Sequence, residues 1–426
     1  VAIAVGVIAD AADRRLFGSF IDDGFMAELD RSTIDVADAR FFPSELYTSE
    51  EWFRFEQRAI FERSWLCVGR ADQIPAPGDF LTITINDDPL LVIRGADGEI
   101  RVMSNVCRHR GHVLAEGMGN ARHGLLRCPL HYWSYDTTGQ VMNTPEMDRT
   151  NFDKSACRLP MLRTEIWNGF IFAHSDPGAE PLAPTLAKLD EEMRNYNMTE
   201  MINLPPLEVP AYPWNWKLML ENFMEPYHNA YLHKGIHDFA LGHGFCEHSP
   251  DENVIMHPTG FDRKDGAFNP LHKALLPPIE GLTEEQRRRV MFAMVPPMMP
   301  LGLVPDHMFY FLIMPHGANE ISLRISICVP PDSTKVKNFE RIVQWIVDGV
   351  MMYNDQDVRA DTAVQRGLRS RMAPRGPFSW KETTIVQLNR WLVQRYRSYA
   401  EELGLVGHGD QATSAAPPLP SASVRA

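Results

Sequence analysis

The chain has 426 residues, 44% of them hydrophobic and 23% charged, and its 42 lysines and arginines against 55 aspartates and glutamates leave a formal charge of -13. Such a length allows two or three domains around at least one large core, and the composition is that of an ordinary soluble globular protein. The acidic balance excludes a broad basic field for nucleic acid or an anionic membrane, so a small molecule is the expected ligand.

The opening run V-A-I-A-V-G-V-I-A is too short to span a bilayer and lacks the basic flank of a signal-peptide core, which places the chain in the cytoplasm as an expectation. A-E-L-D-R-S-T, further on, suggests part of a helix. From Ser49, S-E-E-W-F-R-F-E-Q-R-A-I-F-E-R-S-W has a capping residue and helical apolar spacing. Past Gly78 the texture alternates, through F-L-T-I-T-I-N, P-L-L-V-I-R and E-I-R-V-M-S-N-V, with G-A-D-G as a turn. This predicts a small antiparallel β domain over 67–174. After Pro181 to Pro184 a mixed α/β region follows. It has predicted helices around W-N-W-K-L-M-L-E-N-F, in E-E-Q-R-R-R-V-M-F-A-M and from Lys337 onward, and strands in M-F-Y-F-L-I-M-P and I-S-L-R-I-S-I-C-V. The Pro, Ser and Ala rich residues 409–426 are expected to be disordered.

Six cysteines, Cys67, Cys107, Cys128, Cys157, Cys246 and Cys328, make no dense disulfide framework, so those flanked by histidine become metal candidates. Within the β domain, Cys107-x-His109 and Cys128-x2-His131 are separated by residues 110–127. A Cys2His2 set also suits structural zinc, but zinc fingers keep their cysteine pair and histidine pair apart. Here each pair is mixed, which suits a Rieske [2Fe–2S] cluster with both thiolates on one iron and both imidazoles on the other. Gly111 and Gly117 fit tight loops, Pro129 and Trp133 are expected to shield the cluster, and His112 and His123 read as ordinary loop histidines.

A second constellation lies in E-N-F-M-E-P-Y-H-N-A-Y-L-H-K-G-I-H, residues 221–237. Glu225 and His228 are three apart and are expected to share a helix face. His233 sits about 140° further round an ideal helix, so joint metal binding requires the helix to end or bulge between the histidines. Two imidazoles and one carboxylate form the facial site of non-haem Fe(II) oxygenases.

With both motifs present, the chain resembles the α subunits of Rieske non-haem iron oxygenases, the family of aromatic-ring-hydroxylating dioxygenases and Rieske monooxygenases. The resemblance runs from the Cys-x-His and Cys-x2-His pairs through N-W-K-L and the acid-x2-His-x4-His motif to a carboxylate in a late helix. It implies an α+β fold, with a small antiparallel β Rieske [2Fe–2S] domain inserted before a larger helix-grip-like α/β catalytic domain built on an antiparallel sheet. Residues 1–66 become an N-terminal helical segment packing on the catalytic domain, 67–174 the Rieske domain and 175–408 the mononuclear iron domain. It also implies that Cys107, His109, Cys128 and His131 hold the cluster, and that His228 and His233 bind Fe(II). Glu225, where many members have Asp, becomes a bridge to a Rieske histidine of a neighbouring subunit. The third iron ligand is sought in M-M-Y-N-D-Q-D-V-R-A-D-T-A-V-Q-R-G-L, where Asp357 is the choice, Asp355 the alternative and Asp361 a solvated residue. Asn222 is a doubtful neighbour of the iron, Glu221 reads as structural, and His237 as a pocket or loop residue.

The implied chemistry uses O2, with electrons from NAD(P)H through a reductase and ferredoxin, in a head-to-tail ring that is usually a homotrimer. No strand-G-x-G-x-x-G-helix unit occurs in the sequence, so the redox partners are expected to be separate proteins. The run from Met291 to Pro315, rich in Met, Phe and Pro, reads either as plain core or as an apolar pocket for a small hydrophobic substrate. Mono-oxygenation with oxidative dealkylation is the favoured reaction, and ring dihydroxylation the alternative. A Rieske electron-transfer protein without an oxygenase site would carry only the first constellation.

Overall fold

The computed structural model describes residues 11–233, 240–242, 245–267, 269 and 271–407. His237, the opening apolar run and the tail 409–426 lie outside the described residues. The chain opens with α1 (Ala11–Phe17), α2 (Asp23–Asp30), α3 (Glu45–Thr48) and α4 (Glu50–Ala59). Ser49 caps α4 by accepting a hydrogen bond from the Trp52 amide, which satisfies one of the donors a helix start leaves free.

Ten strands follow: β1 (Leu66–Arg70), β2 (Asp79–Ile85), β3 (Asp88–Arg94), β4 (Ile100–Ser104), β5 (Met118–Asn120), β6 (Leu125–Arg127), β7 (Ser134–Asp136), β8 (Val141–Asn143), β9 (Met161–Trp167) and β10 (Phe170–His174). They form a seven-stranded sheet, β1-β10-β9-β4-β3-β2-β5, and a three-stranded sheet, β6-β7-β8. The smaller sheet and the loops around it enclose a separate core that includes Cys107, Cys128, Trp133 and Tyr135.

The second half comprises α5 (Ala187–Met193), β11 (Ile202–Asn203), β12 (Leu207–Tyr212), α6 (Trp216–Met224), α7 (Asn229–Leu232), β13 (Ala240–Gly242), β14 (Ile255–Phe261), β15 (Arg289–Val295), β16 (Met299–Leu303), β17 (Met308–Gly317), β18 (Glu320–Val329), α8 (Phe339–Leu368) and α9 (Thr383–Glu402). An eight-stranded sheet runs β11-β18-β17-β16-β15-β14-β13, with β12 also on β18. Its pairings are antiparallel. Helix α6 packs on β15, β16 and β17 and touches α8 and α9, while α2 and α4 pack on α9 and α3 on α8.

The expected helix in E-E-Q-R-R-R-V-M-F-A-M is not formed. A short 3-10 turn, Gln286–Arg288, leads into β15. V-M-F-A-M-V is inserted between β14 and β16, so ladder hydrogen bonds on both sides override the helical propensity of the charged residues before it.

Helix α6 is buried almost all round, and its Lys217 and Glu221 are buried with it. This is sustainable only if each charge is matched. Glu56 of α4 accepts from Trp52 Nε1 at 3.0 Å, Trp216 Nε1 at 2.9 Å, Lys217 Nζ at 2.7 Å and Tyr396 OH at 2.5 Å. Tyr47 OH donates to Glu221 at 2.7 Å. One carboxylate thus ties α4, α6 and α9 together. Removing one partner of a fully buried ion pair costs about 3–5 kcal/mol. Glu56→Gln is therefore expected to lower unfolding stability by about 3 kcal/mol or more in urea titrations; a loss below about 1 kcal/mol would show that the pair contributes little.

Candidate metal centres and substrate cavity

In the first constellation the sulfur atoms lie inside and the imidazoles outside. Cys107 and Cys128 are buried, whereas His109 and His131 are exposed. The two thiols are near enough for Cys107 to raise the Cys128 thiol electrostatically, and the His109 and His131 rings sit 4.7 Å apart between centroids. The donors are therefore segregated by type, sulfur with sulfur and nitrogen with nitrogen. This fits a two-iron cluster with unlike irons better than one tetrahedral ion.

Backbone geometry supports the same grouping. The Cys107 carbonyl accepts from Gly111 N at 3.0 Å, and Gly111 has φ +72°, a left-handed turn that glycine enters without strain. The amides of Leu130 and His131 face the Cys128 sulfur, while burial raises the Cys128 thiol above its ordinary range. Tyr135 OH accepts from Arg108 N at 2.9 Å and lies 3.2 Å from Cys107 Sγ. Once Cys107 is a thiolate its sulfur can only accept, so the phenol is then the donor. Trp133 is buried and lies flat on His109, 5.0 Å between centroids and 7° between planes; Pro129 is exposed. His112 and His123 are both exposed.

The second constellation is gathered by a break in the chain. Pro226 disfavours helical backbone at Glu225, which is extended (φ -108°, ψ 129°), and α6 ends at Met224. Glu225 and His228 therefore do not share a helix face, contrary to the expectation from their spacing. Instead the Glu225 carboxylate folds back over the following turn. It accepts from the amides of Tyr227 and His228 and meets His228 Nδ1 at 2.5 Å. His228 and His233 flank the one-turn helix α7 as its N-cap and C-cap. Because the helix is so short, the 140° offset disappears.

Asp357, on α8, completes the group. His228 Nε2 and His233 Nε2 are 3.1 Å apart, and Asp357 Oδ1 is 3.0 Å from His233 Nε2 and 3.7 Å from His228 Nε2. Among the described residues these three form a group able to hold one ion. Ligands at about 2.1 Å from a metal and at right angles to one another lie roughly 3 Å apart, so the triangle has the size of one face of an octahedron. Each imidazole has its far nitrogen engaged: His228 Nδ1 by Glu225 and His233 Nδ1 by Gln356 Oε1 at 2.9 Å. Protons held on Nδ1 leave both Nε2 lone pairs for a metal. Asn222 Nδ2 is 3.5 Å from Asp357 Oδ1.

Asp355 is exposed. Asp361, read from the sequence as solvated, is 5% exposed, and its Oδ2 has no hydrogen-bond partner among the described residues. It lies one turn beyond Asp357 on the inward stripe of α8, where burial first, and then the charges of Asp357, Glu221 and Glu225, hold its carboxyl well above the usual range. Burial likewise lifts Glu221 to about 7; the sequence reading of Glu221 as structural matches its place under Tyr47.

A cavity of about 120 Å³ opens beside the two histidines and Asp357. The run Met291 to Pro315 supplies Phe292, Val304, His307, Phe309 and Phe311 to its lining, whereas Met291, Met294, Met298, Met299, Met308 and Met314 are buried in the core. The pocket reading thus holds for the aromatic residues and the core reading for the methionines; on β15 and β17 strand alternation sends Met291 and Met308 to the face opposite their neighbours Phe292 and Phe309. Phe223 of α6 stands edge-on to Phe292, Phe309 and Phe311, with centroids 5.4, 6.2 and 5.5 Å apart. A Cβ at Gly302 would meet the Phe309 ring at 2.3 Å, so the ring lies across β16 only because position 302 has no side chain. Gln356, Asp306, His307 and His257 were not singled out from the sequence. Gln356 stood beside the chosen Asp357, but the others carry no local spacing signal.

A family model described as "Rieske [2Fe-2S] domain" matches residues 64–162, and one described as "Ring hydroxylating alpha subunit (catalytic domain)" matches residues 191–398. The chain belongs to the Rieske non-haem iron oxygenases, as an α subunit. The carnitine monooxygenase oxygenase subunit of Acinetobacter pittii is 32% identical over 199 residues, 46% of this chain and 53% of that protein. Chlorobenzene dioxygenase subunit alpha of a Cupriavidus species is 36% identical over 195 residues, 43% and 42% of the two chains. The chain thus matches about half the length of these relatives. Naphthalene 1,2-dioxygenase from a Rhodococcus species shares the fold, with a TM-score of 0.72 at 20% identity over 89% of this chain and 99% of that one. No described helix is long and apolar enough to cross a membrane.

The family's cofactors are a Rieske [2Fe–2S] cluster and a mononuclear iron, and both donor sets fit them in type and grouping. A hydrogen bond to a cluster thiolate favours the more negative, reduced form. Tyr135→Phe is expected to lower the cluster midpoint potential by roughly 40–90 mV, the equivalent of about 1–2 kcal/mol for one electron. Protein-film voltammetry reads this directly, and an unchanged potential would remove Tyr135 from the account.

Proposed function

We propose that the chain is the oxygenase component of a multicomponent system, in which His228, His233 and Asp357 hold Fe(II) and Cys107, His109, Cys128 and His131 hold the Rieske cluster. A single observation carries this reading: the three donors form one face and open onto an aromatic cavity. Together the two groups supply O2 activation and the one-electron relay that drives it. Glu225 and Gln356 fix the imidazole tautomers, Asn222 steadies Asp357, and Phe223, Phe292, Phe309 and Phe311 orient the substrate and exclude water. The exposed His109 and His131 support receipt of electrons from a ferredoxin fed by an NAD(P)H reductase, and delivery to the iron site of a neighbouring copy through Glu225. A head-to-tail homotrimer follows from that resemblance.

The described lining contains no arginine or lysine, which favours an uncharged substrate over a zwitterion that needs its carboxylate matched. An apolar cavity near 150 Å³ accepts benzene, so the size suits a single ring. Mono-oxygenation of an N-alkyl or O-alkyl group, with loss of the alkyl as an aldehyde, is the favoured reaction, supported by Glu225 in the motif and by the similarity to carnitine monooxygenase subunits. The aromatic walls and the similarity to chlorobenzene dioxygenase favour a second reading, ring cis-dihydroxylation. Product analysis with N-alkyl anilides, methyl ethers, quaternary amines and arenes decides between them. Asp357→Ala is expected to lose mononuclear iron and at least about a hundredfold of turnover while retaining the Rieske absorbance; iron content equal to the wild type would refute the ligand set.

A further inference from the structure

Away from the metal group, the cavity wall carries a histidine paired with a buried aspartate. His307 lines the cavity, and Asp306 is buried behind it. His307 Nδ1 is 2.7 Å from Asp306 Oδ1, and Asp306 Oδ2 accepts from the amides of Leu275 at 2.9 Å and Leu276 at 3.0 Å. The pair sits in the turn between β16 and β17, which is closed by Val304 N donating to the His307 carbonyl at 3.1 Å and braced by Ile279 N donating to the Pro305 carbonyl at 2.8 Å. Both carboxylate oxygens are thus engaged. The imidazole is held in place by a segment between β14 and β15 that supplies none of the metal donors.

This hydrogen bonding sets the tautomer. Imidazole is a far stronger base than a carboxylate, so the proton shared between them rests on Nδ1, and the neutral ring keeps its lone pair on Nε2. Burial would raise the Asp306 carboxyl, but His307 and the two amides hold it below its ordinary range, in the ionised form that this arrangement requires. Among the described residues His307 makes its side-chain hydrogen bond at Nδ1 alone. Its Nε2 is not sealed in the wall, as the unpartnered His257 Nε2 is. The His307 side chain is 7% exposed against 1% for Asp306, so the part of the pair that stays open is the imidazole on the cavity. Positions 307, 309 and 311 follow one another on the same side of an extended chain, which puts His307 at the end of the aromatic row of Phe309 and Phe311. Asn269, also on the lining, has both ends of its amide taken by Lys273 and Leu271.

We propose that His307 Nε2 is a substrate-positioning acceptor kept in that form by Asp306, and that the substrate is an uncharged single-ring compound whose one hydrogen-bond donor, an N–H or O–H, reaches it. This rests on the reading of the cavity as the substrate pocket. It narrows the class: a secondary aniline, anilide or phenol fits, while an ether, a plain arene or a quaternary ammonium group without a donor leaves the nitrogen unsatisfied. A site built around a recessed hydrogen bond discriminates against analogues that cannot make it.

The test is calorimetric binding to the full-length holoprotein, with N-methylaniline against anisole and phenol against fluorobenzene as shape-matched pairs. Wild-type protein is expected to bind the donor-bearing member about tenfold or more tightly. Asp306→Asn keeps the shape of the pair but turns its amide N–H towards Nδ1, which moves the ring proton to Nε2; the preference should then fall below about twofold or reverse. His307→Phe should abolish it while changing anisole and fluorobenzene by less than about threefold, and His307→Gln, which retains an acceptor, should restore it. A merely structural role for the pair would weaken both members of each pair alike. Equal affinity within each pair, failure of both donor-bearing compounds to bind, an unchanged preference in Asp306→Asn, or an equal loss for both members in His307→Phe would overturn the proposal. Because binding requires no turnover, N-methylaniline that binds through His307 yet gives no product would contradict the oxygenase reading and leave this one standing.

Discussion

The structure depends on a carboxylate that never meets solvent. Glu56 joins α4 to α6 and α9, and its partner Lys217 is as fully buried as it is. An isolated charge at that depth would be untenable, so the pair holds only while α4, α6 and α9 are assembled together. This matters for the site because α6 carries it: Asn222 and Phe223 lie in its last turns, and Glu225 and His228 follow its end. Thr384 of α9 donates to the carbonyl of Met224 at 2.7 Å, securing the turn from which the loop carrying Glu225 and His228 departs. The N-terminal helices, far in sequence from this loop, thereby set the place of His228 and His233.

The two donor sets differ as their tasks would require. Around Cys107 and Cys128 the sulfur atoms are buried and the imidazoles exposed, which suits a centre that must be reached by other proteins. At His228, His233 and Asp357 the donors are recessed at the edge of an aromatic cavity, and their outer nitrogen atoms are tied to Glu225 and Gln356. Fixing a ring through its far nitrogen is the common way a protein holds a metal ligand in one tautomer.

Much of this was legible in the sequence where the information is local. Cys-x-His and Cys-x2-His stand out by spacing, and the acid-x2-His-x4-His run picks out His228 and His233, which the structure brings together. Asp357 lies over a hundred residues on and was reached by resemblance. What stayed hidden depends on distant packing. The residues of β15 look helical because their neighbours are good helix formers, and only pairing with β14 and β16 makes them a strand. Asp361 looks solvated until α8 is placed with its stripe inward. Gln356, His257 and the Asp306–His307 pair are unremarkable in isolation, and acquire a role only when the sheet and α8 converge on one cavity. Pro226 did carry a signal, since it marks the end of α6, but the (i, i+3) spacing of Glu225 and His228 argued the opposite.

One chain that builds two iron-binding sites of different kinds has a fixed metal and sulfide content. Iron, zinc and acid-labile sulfide analysis of the purified protein tests it most directly. The expected content is close to three iron atoms and two labile sulfides per chain, with negligible zinc. Zinc in the Cys107 to His131 site, or iron and sulfide in equal amounts with no additional iron, would contradict it.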